Sequence, residues 1–158
     1  MTISSLREAL AEHPFLAGLL PVDIDKLVDI CFEKTFTQDE VLFRESDPSG
    51  FFYLLLSGTV ALEITAPGRV VRIMTIGAGE ELGWSSLMAE GRKQFQARAL
   101  EPVRALALDG GRLRKLCEDD HEFGHNVMKR LLVVVAERLQ NTRLQLLDIF
   151  STRGGVLK

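Results

Sequence analysis

From residue 40 to residue 108 the chain is a succession of short apolar runs, most of them closed by turn-forming residues and too closely spaced for helices to separate them. Residues 40–43 form the first candidate strand, and 44–50, Arg-Glu-Ser-Asp-Pro-Ser-Gly, read as a loop. Residues 51–56 are a continuous apolar run, which suits a buried strand. Ser57-Gly58 ends it, and 59–65 follow as the next strand. Pro67-Gly68 hold the central positions of a type II turn into 70–76. Gly77-Ala78-Gly79 interrupts again, and 95–100 and 103–108 complete the series. Strands this short and this close pair antiparallel. The expected fold is mainly β, an antiparallel β-roll or double-stranded jelly roll.

Helices flank this region. Ser4 or Ser5 can cap a short helix that runs through Glu12 and stops before His13-Pro14. Residues 21–30 read as a second helix, with Ile24, Leu27, Val28 and Cys31 on one face. Residues 112–118 fit a short helix, and 121–150 a long one of roughly 45 Å at the usual rise. Two apolar stripes run along the long helix. One is Phe123, Val127, Leu131 and Val134; the other is Met128, Leu132, Val135, Leu139, Leu146 and Ile149. The second alternates three- and four-residue steps, with polar Thr142 in one place, as a coiled-coil seam does. Either both stripes pack within the chain, or the second needs a partner, and a homodimer through this helix is the expected solution. The chain is expected to form one domain, residues 1–150, with 151–158 as a frayed tail around Gly154-Gly155.

Composition narrows the function. A net charge of −3 and the absence of a basic cluster argue against a nucleic-acid surface. Arg112, Arg114 and Lys115 are followed at once by Glu118, Asp119 and Asp120, as on a solvated helix face. Cys31 and Cys117 lack metal-type spacing and read as reduced, buried thiols. The N-terminus has no signal-peptide layout, and the longest apolar runs are too short to cross a bilayer. A soluble cytoplasmic protein is expected.

Three segments carry a family resemblance: Asp39-Glu40-Val41-Leu42-Phe43-Arg44-Glu45-Ser46-Asp47, Phe52-Tyr53-Leu54-Leu55-Leu56-Ser57-Gly58-Thr59-Val60 and Gly79-Glu80-Glu81-Leu82-Gly83. With the order of elements, they resemble the cyclic nucleotide-binding domain of the catabolite activator protein superfamily, over about residues 13–149. The resemblance implies a β-roll, N-terminal helices and a long C-terminal helix that dimerises. It also implies a phosphate cradle: a Gly-Glu pair, a short helix whose amides favour an anion, and an Arg whose planar fork grips phosphate. The Glu accepts from the ribose hydroxyl, and a small residue follows the Arg.

Mapped without gaps, the Gly is Gly83, but Trp84 stands in the Glu position, Lys93 in the Arg position and Gln94 after it. An indole only donates where a carboxylate accepted, and a point charge replaces a bidentate fork. A slipped register would make Glu81 the ribose acceptor. Ser85 and Ser86 either cap the short helix or donate to an anion, Arg92 and Lys93 stand at the pocket rim, and Arg98 reads as an outward side chain. The candidate site is therefore Glu81, Gly83, Trp84, Ser85, Ser86, Arg92, Lys93 and Gln94.

Other classes are weaker. His121-Glu122-Phe123-Gly124-His125 matches the H-E-x-x-H pattern of zinc peptidases, but the one remaining histidine is His13. A cupin-type metal site needs His on strands, where there is none, and no catalytic triad is supported. No catalytic residue, metal or resident cofactor is expected. The expected function is a stand-alone, non-catalytic sensor or regulatory domain with reduced or altered cyclic AMP and cyclic GMP binding. The alternative is a functional cyclic nucleotide-binding protein that uses Lys93, and the candidate ligand is a cyclic nucleotide or another small anion. Relatives often continue into a helix-turn-helix, for which 151–158 are too short, so DNA binding by this chain alone is not expected.

Overall fold

The structure is a computed structural model describing residues 1–48, 50–88 and 92–154, with side chains as far as Ser151. Its strands are β1 (Cys31–Phe36), β2 (Val41–Phe43), β3 (Phe51–Ser57), β4 (Val60–Ala66), β5 (Arg69–Ile76), β6 (Glu81–Leu82), β7 (Gln96–Ala99) and β8 (Val103–Asp109). Its α-helices are α1 (Ile3–Glu12), α2 (Pro21–Val28), α3 (Gly110–Asp119) and α4 (His121–Gly154). The strands form two four-stranded sheets, in the orders β1-β8-β3-β6 and β2-β7-β4-β5, with antiparallel pairing throughout. This is the β-roll with flanking helices that the strand spacing predicts.

Side-chain alternation on β3 and β8 divides the interior in two. Tyr53 and Leu55, with Val103, Ala105 and Ala107, face the second sheet and meet Phe43, Val60, Leu62, Ile76, Ala97 and Ala99 inside the roll. Phe52 and Leu54, with Leu106 and Leu108, point outward and are covered by Leu6 and Leu10 of α1, Ile24 and Leu27 of α2, and Phe123 and Val127 of α4. The continuous apolar run at 51–56 is thus a strand buried on both faces.

Several boundaries differ from expectation. The cap of α1 is Thr2, whose side chain accepts from the Ser5 amide, rather than Ser4 or Ser5. Helix α2 ends at Val28 with Asp29 as cap, and α3 begins at Gly110, where the Asp109 side chain accepts from the Arg112 amide. Strands β1 and β6 were not expected. In β1 the inner ends Cys31 and Phe36 are separated by charged Glu33 and Lys34, and β6 has only 2 residues. Residues 151–154, expected as part of the tail, are helical. Residues 155–158 lie outside the described residues.

The two stripes of α4 separate. Phe123 and Val127 are buried, and Leu131 and Val134 pack partly against the helix-side core. Met128, Leu132, Val135, Leu139, Leu146 and Ile149 are between 39% and 68% exposed. Packing of both stripes within one chain is therefore not what this fold does. From Asn141 to Ser151 every side chain is exposed.

Candidate functional site

The cradle starts at Gly83, where β6 gives way to a 3-10 turn, Trp84–Leu87. Gly83 has φ 88°, and a Cβ there would come within 2.6 Å of the Phe51 carbonyl oxygen, so only glycine fits. This close approach sets the turn against the start of β3. On the other side, residues 46–48 pair with 92–93: the Ser46 amide donates to the Lys93 carbonyl at 2.9 Å, and the Lys93 amide to the Asp47 carbonyl at 3.1 Å. Lys93 is thereby held opposite Gly83.

Lys93 does not stand at a rim. Its side chain is 6% exposed, and Nζ lies 4.4 Å from the centroid of the Phe43 ring and 3.5 Å from the Phe51 carbonyl oxygen. The same nitrogen lies 3.1 Å from where a Gly83 Cβ would be. Burial pushes its pKa down to about 8, with the Asp47 charge pulling the other way. The space enclosed by Phe43, Gly83, Trp84, Ser85, Lys93, Gln94 and Phe95 amounts to about 10 Å³. That is about one water's worth of room, whereas ligand pockets start near ~300 Å³.

The remaining sequence candidates separate by face. Glu81 pairs with Leu54 across β6 and β3, so its carboxyl points outward to α4, while neighbouring Leu82 fills the roll. There it meets Arg138, which also donates to the Glu81 carbonyl oxygen; the contact with Oε1 is a charge contact without a hydrogen-bond direction. Burial raises the Glu81 carboxyl above its ordinary range, and Arg138 opposes that shift. Glu81 thus faces away from the cradle, which leaves the slipped register without its ribose acceptor. Ser86 is fully buried and packs against Gly110 at the start of α3, where a Cβ would strike the Ser86 Cβ at 2.6 Å; among the described residues its hydroxyl has no hydrogen-bond partner. Trp84 packs on the helix-side core and also borders the cradle. Arg92 is exposed and donates to the Ser46 carbonyl at 2.9 Å, which ties it to the loop before β3. Arg98 is on the outer face, where it grips Glu63 with Nε and Nη2 at 3.1 and 2.8 Å and holds that carboxyl below its usual range.

Sequence reasoning missed Phe43, Phe95 and Arg138. Phe43 and Phe95 fall within the expected strands 40–43 and 95–100, where the strand pattern does not single them out. Arg138 falls four residues past Val134 on the inward stripe, and a cation in that place was the available signal.

His121, Glu122 and His125 lie at the start of α4, with the two histidines one helical turn apart. His121, Glu122 and His125 are exposed, and among the described residues no group of three or more His, Cys, Asp or Glu side chains converges. His13 is buried, accepts the Phe15 amide on Nδ1 and, in that tautomer, donates from Nε2 to the Leu55 carbonyl at 3.1 Å; burial lowers its pKa. Cys31 and Cys117 are free thiols whose burial pushes them up to about 12 and about 11. Among the described residues no helix is long and apolar enough to cross a membrane.

Residues 33–120 match the cyclic nucleotide-binding domain, and the chain belongs to that family. A CRP-like cAMP-activated global transcriptional regulator of Mycobacterium tuberculosis is 29% identical over 146 residues, covering 92% of this chain and 63% of the regulator. The cyclic AMP receptor protein of Thermus thermophilus is 30% identical over 139 residues, covering 87% and 62%. The solved N-terminal domain of a transcriptional regulator from Streptomyces coelicolor superposes with a TM-score of 0.67 at 29% identity, covering 87% of this chain and 94% of that one. The chain spans less than two thirds of the length of these two curated relatives.

Proposed function

We propose that this chain is a non-catalytic regulatory domain of the cyclic nucleotide-binding type whose affinity for cyclic AMP and cyclic GMP is reduced, acting in the cytoplasm as a homodimer through α4. One observation carries the reading: the space between Gly83 and Lys93 is about 10 Å³ and is bordered by Trp84 where the family places a ribose-binding carboxylate. A cyclic nucleotide needs both the volume and the acceptor. The uncovered seam of α4 supports the dimer, since six large apolar side chains at coiled-coil spacing form a contiguous stripe of the kind that marks an interaction surface. Regulators among the relatives support a signalling role. In that role, changes in the roll reach a partner or further domain through the packing of α4. Nucleic-acid binding by these residues forms no part of the reading, because the chain is acidic and lacks a basic face.

Isothermal titration of the purified protein with cyclic AMP and cyclic GMP tests it. The expected result is no binding at micromolar concentrations of either nucleotide. Micromolar binding that disappears in Lys93→Ala would overturn this reading and establish Lys93 as a phosphate-gripping residue in a functional nucleotide site.

A further inference from the structure

The edges of a sheet are where other chains can add to it, and the four edges of this roll are not alike. β2 has 3 residues and β6 has 2, and very short edge strands resist pairing. β1 carries Glu33 and Lys34 at its centre, charges of the kind that blunt an edge. β5 is 8 residues long and, among the described residues, pairs with β4 alone. Val70, Val71 and Ile73 are exposed on it. Ile73 is also the extra residue of a bulge: Met74 pairs with Leu62 and Arg72 with Glu63, which leaves Ile73 without a partner on β4. The outer edge of β5 thus presents unpaired backbone groups beside apolar side chains.

This edge borders a groove. Arg72, Ile73 and Met74 of β5 and Asn141, Leu144 and Gln145 of α4 line a space of about 560 Å³. Leu144 is exposed and lies about 140° round α4 from Leu139, so the groove is separate from the α4 seam. Charge selects the occupant. Arg69 and Arg72 are the charged residues of β5, and neither makes an ion pair among the described residues. Arg72 stands on the outer face beside Glu63, whose carboxyl is already held by Arg98 and Gln96. A second copy of β5 would bring two more arginines to the same edge. A strand with carboxylates on its outer face would meet Arg72 instead, and its apolar residues, on the other face, would meet Met74 and Leu144.

We propose that β5 is a docking edge for an extended acidic segment of a partner protein, which adds a strand to the sheet in the groove against α4. The segment alternates carboxylate and apolar side chains; backbone hydrogen bonds to β5 hold it, and Arg72 selects its charge. The two arginines disfavour pairing between copies of the chain and favour the acidic strand. β5 contributes no residue to the cradle, so the proposal stands or falls independently of nucleotide binding.

Two synthetic peptides test it, acetyl-Ser-Val-Glu-Val-Glu-Val-Ser-amide and the same sequence with lysine in place of glutamate. Each is titrated to millimolar concentration into the ¹⁵N-labelled protein, and amide hydrogen exchange is measured with and without peptide. The expected result with the glutamate peptide is saturable shifts at residues 69–75 and 141–145 and slower exchange in β5. Its affinity should exceed that of the lysine peptide about tenfold. Arg72→Glu should abolish or reverse the preference; should that variant fail to fold, the comparison of the two peptides on the unsubstituted protein decides. Equal response to both peptides would show an apolar groove without charge selection. Shifts without protection of β5 amides would show contact between charges without an added strand. Exchange in β5 that slows with protein concentration, in the absence of peptide, would show that a second copy takes the edge. Each of these outcomes, or no response at all, overturns the proposal.

Discussion

Replacing Lys93 by methionine should make this protein more stable at neutral pH. The ammonium has its pKa lowered from 10.5 to about 8 by burial. At about 1.4 kcal/mol per unit, holding the charge in the fold costs about 3 kcal/mol relative to water. Methionine keeps the stem and fills the same narrow space without the charge. It also leaves the Phe51 carbonyl without its long ammonium contact, a loss of about 1 kcal/mol. The net expectation is a gain of about 2 kcal/mol, or roughly 4 to 8 °C in melting temperature for a chain of this size. The pH dependence identifies the cause. Between about pH 8 and 10.5 the unfolded lysine is protonated while the buried amine is not. The unfolded state therefore binds more protons, and this contribution to stability rises with pH. Cys31, Cys117 and Tyr53 have raised pKa values and act in the opposite sense at the alkaline end, but equally in both proteins. The quantity to read is the difference between parent and Lys93→Met in urea melts from pH 6 to 10. It should be largest at and below neutrality and close as pH passes through 8 and above. A parent more stable than the variant at pH 7, or a difference that does not change with pH, would refute the burial cost assigned to Lys93.

Arg138→Met should destabilise the fold by about 2 to 4 kcal/mol at pH 7.5, because it leaves the Glu81 carboxylate buried without its countercharge. Since burial already raises the Glu81 pKa, protonation relieves the variant, and urea midpoints should show a smaller loss at pH 5 than at pH 7.5; an equal loss at both would indicate packing alone. Leu139→Glu sets like charges in the middle of the exposed α4 seam and should give a monomer by multi-angle light scattering, whereas an unchanged dimer would place the contact elsewhere.

The roll was legible because its strands obey simple patterns. β3 and β8 carry apolar residues on both faces and could only be buried, and Pro67-Gly68 closes β4 onto β5 with Gly68 at φ 76°. Strand β6 was illegible for an equally plain reason: its 2 residues show no period, and its partners in β3 are Tyr53 and Leu54, far back in the chain. The separation of the α4 stripes followed from spacing, but their assignment did not. Only the packed fold shows that the Phe123 stripe is covered and that Arg138 continues it as far as Glu81. At the cradle, residue types announced the loss of acceptor and fork but not the direction of the replacement. Lysine at 93 is compatible with a gripped phosphate and with a folded-in stem. The choice depends on Phe43, fifty residues earlier in the chain, and on a main-chain carbonyl that has no sequence signature.

The departures at 84 and 93 are physically one change. A guanidinium in this place could not shed its proton, and without a carboxylate at 84 or a bound phosphate it would be an uncompensated buried charge. A lysine avoids that penalty in two ways. Its flexible stem lets Nζ reach the Phe43 face and the Phe51 oxygen, and its pKa can fall until the charge is only lightly held. Trp84 packs on the helix-side core, and the space it borders beside Lys93 amounts to about 10 Å³. Restoring arginine alone at 93 should therefore weaken the fold rather than revive a nucleotide site. The guanidinium would be longer and permanently charged, in about 10 Å³ of free space with no acid to meet it.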